Sequence, residues 1–530
     1  MDMAFPVELA IIGPDTGRHV NTLEEQLFQE ILMARRRVYA GGRPTPLQEM
    51  QFSGMPARVF VKREDLGPIM AYKWRGAYNR MAMLDADERA MGVVAASAGN
   101  HAQGVARAAM ALGTKARIYM PRSTPLMKQT AVRRHGGVHV EVVLTGDTYD
   151  AAAEAALAEA AASGLTFIHP YDDLAVMGGQ GTLADEVVMS GDGPFSHAYL
   201  QIGGGGMAAA TACWLKRYFP GIRVIGVEGV EQASMKAAVE AGHPVDLDYL
   251  DVFCDGTAVR RAGAVTFPLC RELIDDFITV TNDEVCGAVR QLWEASRVIP
   301  ETAGAMGLAG ALQQASLLGP DDRVLVILCG ANMDFSQLAT IARHGGGAGR
   351  RKFIRFPMAE QRGALIRVLR GLPPAVNIFD VQYGRTGEAV SHPVLGLQAA
   401  ESDFELMDGY FSSLEIAHQE VTAQDDVDYR IINYAPALFR NPIFVRIEFP
   451  ERPGAFLGFM EGIADVANLC YFNYTNTGER VGRALVGMEA DSPALQDVLR
   501  ARLRAMIATA TGPIRAFREV SPAALARILG

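Results

Sequence analysis

Between about residue 57 and residue 344 the chain alternates short β-branched runs with Ala-rich segments of helical period. No other feature narrows the possible folds as much. The runs at 57–62, 92–96, 115–120, 138–144, 199–202, 223–227 and 323–328 read as strands. The segments at 101–112, 149–162, 207–218 and 304–318 read as helices, and a further helix is expected over 21–38. Strand following helix in this way predicts an α/β fold, a parallel sheet covered on both faces. Ligands of such sheets bind at the carboxyl ends of the strands.

The alternation stops near His344, where GGGAGRR (345–351) reads as a flexible basic linker. An internal repeat follows. FIRF from Phe353 and FVRI from Phe444, RGA from Arg362 and PGA from Pro453, YxxTGE from Tyr383 and from Tyr474, and LGL from Leu395 and VGM from Val486 all stand 91 residues apart. Four pairs in one register mark an α+β module present twice, each copy reading strand, Gly-containing turn, helix, strand, turn, strand. The expected organisation is a catalytic domain over 20–344, the linker, and two modules over 352–436 and 437–530.

A chain of 530 residues has room for about three domains. Hydrophobic residues at 49% and charged residues at 21% are ordinary for a globular protein. A net charge of -10 argues against a broad basic surface for nucleic acid, though not against a local pocket for one phosphate. The six cysteines are scattered, without a CxxC pair or zinc spacing, which suggests a reducing compartment and no metal site. Residues 1–19 have no basic n-region and do not read as a signal peptide. No apolar run reaches the ~18 residues of a membrane span. The expectation is a cytoplasmic protein.

Four segments carry chemistry. In VKREDLGPIMAYKWRGAYNR, Lys73 lies between Tyr72 and Trp74 at the start of a helix. Burial and a positive helix end would both lower its pKa, and a neutral amine is what Schiff-base chemistry needs. A surface lysine packed along its stem is the plain alternative. In VVAASAGNHAQGVA a strand ends and a helix opens. Ser97 can cap that helix, Gly99 permits a tight turn, and the exposed N–H groups suit a carboxylate. In YLQIGGGGMAAATACWL, Gly203, Gly204, Gly205 and Gly206 join a buried strand to a helix and can cradle a phosphate. Gly203, Gly205 and Ala208, with Glu228 twenty residues on, also fit a dinucleotide fingerprint, the mark of an NAD enzyme. In VLVILCGANMDF, Cys329 ends a strand, either beside a ligand or as an inert buried thiol.

Taken in order, TPLQ (45–48), VKRED (61–65), RGAY (75–78), SAGNHAQG (97–104), GQGT (179–182), the GGGG run, AGHPVDL (241–247) and CGAN (329–332) resemble the fold type II pyridoxal-phosphate enzymes, tryptophan synthase β-like in fold, and among them the biosynthetic threonine dehydratase family. The resemblance extends from about residue 35 to the C-terminus, and the repeated modules look like that family's paired ACT-like regulatory subdomains. It implies that Lys73 forms the Schiff base and is the base on the substrate Cα. It implies that Asn100 binds the ring 3-oxygen, that Gly203 to Gly206 and Met207 cradle the phosphate, and that Cys329 faces the pyridine nitrogen where Ser is usual. Ser97, Ala98, Gly99, Asn100 and His101 would hold the substrate carboxylate. The implied reaction is α,β-elimination from L-threonine, giving 2-oxobutanoate and ammonia, in a homotetramer inhibited by isoleucine and relieved by valine. Serine racemases of this group carry a second Ser where this chain has Ala98, so racemisation is not expected. Ala71, Trp74 and ETAGA (301–305) depart from the family pattern next to the expected pocket, which keeps serine, a hydroxyaspartate or another β-substituted amino acid open as substrate. A binding protein that senses amino acids is a further alternative, against which Lys73 weighs. His101 and His169 are expected to be structural, and Glu228 could contribute to a cation site.

Overall fold

Leu27, Ile31, Ala34 and Val38 recur at helical spacing and are all buried, so the first helix, α1 (Leu23–Gly41), packs one apolar stripe inward. The Thr22 hydroxyl caps its start by accepting from the Glu25 N–H. The computed structural model describes residues 22–344, 350–422, 424–440, 442–450, 454–475, 481–507 and 512–529. Residues 1–19, the glycine run at 345–349, and Pro453 and 476–479 of the second repeat copy lie outside the described residues. The chain divides between Gly345 and Gly346 into two compact units.

The first unit has two sheets. Its strands are β1 (Leu47–Met50), β2 (Arg58–Arg63), β3 (Val93–Ala96), β4 (Ala116–Met120), β5 (Val140–Leu144), β6 (Thr166–Phe167), β7 (His197–Gln201), β8 (Arg223–Gly229), β9 (Asp276–Val280) and β10 (Arg323–Leu328). The larger sheet runs β1-β2-β10-β7-β8-β9, parallel except for the antiparallel edge pair β1–β2. The smaller runs β5-β4-β3-β6, all parallel. Buried strands with continuous apolar runs, such as Val324 to Leu328, are what a sheet covered on both faces requires. The helices that matter for the site are α2 (Trp74–Ala82), α3 (Asn100–Leu112), α4 (Leu174–Met189), α5 (Gly206–Tyr218) and α6 (Thr302–Gln313).

Three strands were not expected. LQEM is polar and pairs only at an edge, β6 is two residues long, and DFITV of β9 is a short edge strand beside β8. The run expected from 138 begins at Val140, because Gly137–His139 forms a 3₁₀ turn. The helix expected to reach 318 ends at Gln313, with Ala315–Leu317 as a second 3₁₀ turn.

In the second unit each repeat folds as strand, helix, strand, strand, helix, strand. The first copy is β11 (Arg350–Arg355), α7 (Ala364–Arg370), β12 (Asn377–Gly384), β13 (Val394–Ala399), α8 (Glu401–Ser413) and β14 (Gln419–Glu420). The second is β15 (Pro442–Pro450), α9 (Ala455–Ile463), β16 (Asn468–Thr475), β17 (Val481–Glu489), α10 (Pro493–Ile507) and β18 (Ala516–Glu519). The first helix and second strand of each copy start 91 residues apart, the spacing of the sequence repeat. Each copy has a second helix and an edge strand that its pattern did not suggest; the first adds a short strand pair, Met358–Ala359 with Val390–Ser391, and a short helix, Asp425–Asp428, and the second adds a helix, Pro522–Leu529. Arg350 and Arg351 are strand rather than linker, held by pairing with Ala399 and Gln398. The copies join through antiparallel β12 and β16 into one eight-stranded sheet, β14-β11-β13-β12-β16-β17-β15-β18. This is the ferredoxin-like arrangement, twice.

Candidate active site

The chemistry-bearing segments of the first unit meet where the strands end. Lys73 stands at the N-cap of α2. The turn before it is pinned to the end of β10: Tyr72 N–H donates to Cys329 O at 3.0 Å, and Ala331 N–H to Met70 O at 2.9 Å. Met70 has a left-handed backbone with φ of 54°, uncommon for a residue with a side chain and in keeping with a turn over-determined by its surroundings. The Lys73 amine donates to Pro170 O at 2.9 Å. Burial lowers its pKa to about 8, against an upward pull from the Glu301 carboxylate. Lys73 is thereby kept close to the neutral form that a nucleophilic amine requires.

The glycine run follows β7. Gly205 has φ of 92°, and α5 starts at Gly206 without a side-chain cap among the described residues, so its first N–H groups remain as anion donors. A Cβ on Gly204 would stand 2.2 Å from the Tyr171 ring, and one on Gly206 2.8 Å from Tyr171 O. Thr266 Oγ1 donates to Gly204 O at 2.6 Å and fixes the loop. Met207, the second residue of α5, is buried beneath it.

Ser97 does not cap α3, contrary to expectation. Its hydroxyl accepts from Gly99 N–H at 3.2 Å, and Gly99 itself occupies the N-cap position. The first N–H groups of α3 are left for a ligand, and the space where a Gly99 Cβ would sit is open. Ala98 stands in this turn with no hydroxyl. The His101 ring is buried, donating from Nε2 to Ile168 O at 2.8 Å, and burial lowers its pKa to about 3. His169 Nδ1 accepts from Tyr171 N–H at 3.2 Å and from Asp172 N–H at 2.8 Å. Both histidines therefore have partners that serve the fold.

Asn100 Nδ2 donates to Glu301 Oε1 at 2.7 Å, and Asn100 Oδ1 accepts from Asn332 Nδ2 at 2.8 Å. Burial, reinforced by Asp255, raises the Glu301 pKa to about 7, while the Asn100 and Asn332 donors hold it down. Sequence reasoning assigned no role to Glu301 or Asn332. Their signal was present in the ETAGA and CGAN segments, but not their meeting with Asn100. Cys329 is buried, and burial pushes its thiol well above the ordinary range, so it stays protonated.

One expectation needs correction, and one alternative loses its support. Trp74 does not border the pocket: it packs with Ala34, Val38, Ile69 and Ala71, its ring 2.4 Å from where a Gly42 Cβ would be. Glu228 is not free for a ribose. Its carboxylate accepts from Met235 N–H at 2.9 Å and Lys236 N–H at 2.8 Å, which removes the support for a dinucleotide. Among the described residues no His, Cys, Asp and Glu group could hold a metal ion. No helix is long and apolar enough to cross a membrane among those residues.

A buried amine of lowered pKa, a glycine-only loop at an uncapped helix start, and an amide beside them fit pyridoxal phosphate. The fold and this pocket define a pyridoxal-phosphate enzyme, and residues 38–330 match the family "Pyridoxal-phosphate dependent enzyme". Residues 436–509 match the "C-terminal regulatory domain of Threonine dehydratase". The chain is 37% identical to a biosynthetic L-threonine dehydratase of Burkholderia multivorans, over 81% of this chain and 86% of that one. It is 36% identical to one of Escherichia coli, over 86% and 89%. Among solved structures, the processed form of threonine deaminase isoform 2 from Solanum lycopersicum aligns with a TM-score of 0.58 and 36% identity, covering 65% of this chain and 99% of that one. The chain belongs to the biosynthetic threonine dehydratase family of pyridoxal-phosphate-dependent lyases.

Proposed function

We propose that this protein converts L-threonine to 2-oxobutanoate and ammonia by eliminating the β-hydroxyl and hydrolysing the product, with Lys73 as the residue that holds the cofactor and moves the proton. The observation that carries this reading is the Lys73 amine, buried against Pro170 O and brought toward neutrality by that burial. Pyridoxal phosphate, when bound, supplies an electron sink for the pair released at the substrate Cα. The protein's own part is positional. Gly203 to Gly206 and Met207 hold the phosphate at the start of α5. Asn100 donates to the ring 3-oxygen. The Cys329 thiol, kept protonated by burial, would face the pyridine nitrogen and would offer it no anionic partner. The Ser97 to His101 turn receives the substrate carboxylate at the start of α3. Lys73 Nζ takes the Cα proton. The β-hydroxyl gains a proton as its C–O bond breaks and leaves as water, and the released enamine tautomerises to an imine whose hydrolysis consumes one water and frees ammonia. Ala98 offers no acid on the opposite face, so racemisation is not expected.

The reading extends to a cytoplasmic homotetramer whose C-terminal modules bind isoleucine as inhibitor and valine as its antagonist. The regulatory-domain match and the paired modules support the regulatory part of this reading. The test is release of 2-oxoacid by cofactor-loaded protein, with L-threonine and L-serine compared. 2-Oxobutanoate formation from threonine, abolished in Lys73→Ala, is expected. A larger kcat/KM for serine or a hydroxyaspartate would move the protein to another substrate, and release unchanged in Lys73→Ala would remove Lys73 from the reaction.

A further inference from the structure

We infer that Asn332 is a positioning residue that, with Glu301, fixes which way the Asn100 amide faces. This rests on the reading above, in which Asn100 donates to the cofactor's ring oxygen. Asn332 Nδ2 donates twice, to Ile69 O at 2.6 Å and to Asn100 Oδ1 at 2.8 Å. A backbone carbonyl only accepts, so the group that Asn332 turns toward Ile69 is its NH₂, and the atom of Asn100 facing that same NH₂ is the oxygen. The Asn100 NH₂ then faces Glu301 Oε1 at 2.7 Å. Glu301 Oε2 accepts from the Asn332 backbone N–H at 3.2 Å, which closes the ring.

The arrangement has one stable sense. Flipping Asn100 would set NH₂ against NH₂ at Asn332 whatever the state of Glu301, and with Glu301 ionised it would also set oxygen against oxygen, replacing hydrogen bonds by repulsions. An amide nitrogen has two hydrogens. Glu301 takes one, and the other is left for a ligand. An isolated Asn100 would present its oxygen or its nitrogen to the pocket. Held in this ring it presents a donor, the polarity that a ring oxygen needs. The hold on Ile69 also ties this donor to the turn that carries Lys73, so donor and amine share one frame. Gly330 leaves room for it: a Cβ there would come within 2.5 Å of Glu301 Oε1.

The test uses the full chain, freed of cofactor and titrated with pyridoxal phosphate. Asn332→Asp keeps the size but, ionised, cannot donate to Ile69 O or Asn100 Oδ1, and Asn332→Ala removes the donor if the aspartate variant does not fold. The expected result is a rise in the cofactor Kd of about tenfold or more. The bound cofactor's absorbance spectrum and its pH titration should shift, matching those of Asn100→Ala. The double variant should show no further change, since both substitutions remove one donor. Wild-type spectrum and affinity in Asn332→Asp, or effects of Asn332 and Asn100 that simply add, would overturn the inference. Lack of any Lys73-dependent cofactor absorbance in the unsubstituted chain would overturn it together with the reading beneath it.

Discussion

At the scale of single residues the costly requirement is the amine of Lys73. Its pKa falls from 10.5 to about 8 because burial penalises the ammonium form. Between those two values the unfolded chain binds more protons than the folded one, so this residue's contribution to stability rises with pH across that window. Below pH 8 the whole penalty is present. In the cofactor-free protein at pH 7, Lys73→Met is therefore expected to raise stability by ~1–3 kcal/mol. Pro170 O, the partner of the amine, keeps a donor from Gln180 Nε2 at 3.3 Å. Thermal unfolding of both proteins at pH 7 and pH 10 checks this: the advantage of the variant should shrink at the higher pH. Gly204 is constrained in the opposite way, by space. Gly204→Ala drives a methyl into the Tyr171 ring, and relief by shifting the loop costs about 1–3 kcal/mol. We expect weaker cofactor binding in a titration, while Gly221→Ala, with open space around its Cβ, should bind as the unsubstituted chain does.

At the scale of elements, what holds α2 in place is a buried charge cluster. Lys62 on β2 meets Glu64 at 3.0 Å and Glu186 on α4 at 2.6 Å, and Arg75 on α2 meets the same two carboxylates at 2.8 and 2.6 Å. Two cations face two carboxylates, and Thr45 Oγ1 adds a hydrogen bond to Glu64. Glu186→Ala would leave buried positive charge without its partner, at a cost of about 3–5 kcal/mol. Urea unfolding should show that loss. The cofactor Kd should rise as well, because Arg75 lies two residues from Lys73. The same elements show what a sequence can and cannot disclose. Lys73 between aromatics and the four-glycine run were legible because their chemistry is written in contiguous residues. The repeat was legible as a spacing, yet α8, α10 and the edge strands β14 and β18 carry no matched motif and stayed hidden. Asn100, Glu301 and Asn332 meet across 201 and 232 residues of chain, a contact that only the tertiary fold creates. Trp74 was misjudged for a related reason: its neighbour Lys73 enters the pocket, but one residue on the helix turns the side chain away, onto α1.

At the scale of the molecule, the two units keep separate apolar interiors. One buried cluster runs from Ile354 to Ile514, while the large clusters of the first unit lie between Leu27 and Ile341. Chains truncated after Gly345 should therefore fold and still release 2-oxobutanoate from threonine. If the modules sense isoleucine, inhibition should vanish in that truncation, and inhibition equal to the full chain's would move the sensor into the catalytic unit. Calorimetry of the full chain gives an independent answer. A ligand present at 100 times its Kd stabilises the unit that binds it by about 2.7 kcal/mol. Isoleucine should then raise the unfolding transition that is missing from the truncated chain and leave the remaining one near its ligand-free position. Coupling between sites is reciprocal in binding free energy. If isoleucine inhibits by weakening threonine binding, then a non-reacting threonine analogue that fills the Lys73 pocket must weaken isoleucine binding by the same factor, measurable by isothermal titration. Isoleucine binding left unchanged by the analogue would mean that isoleucine acts on the rate of the chemical step and not on substrate affinity.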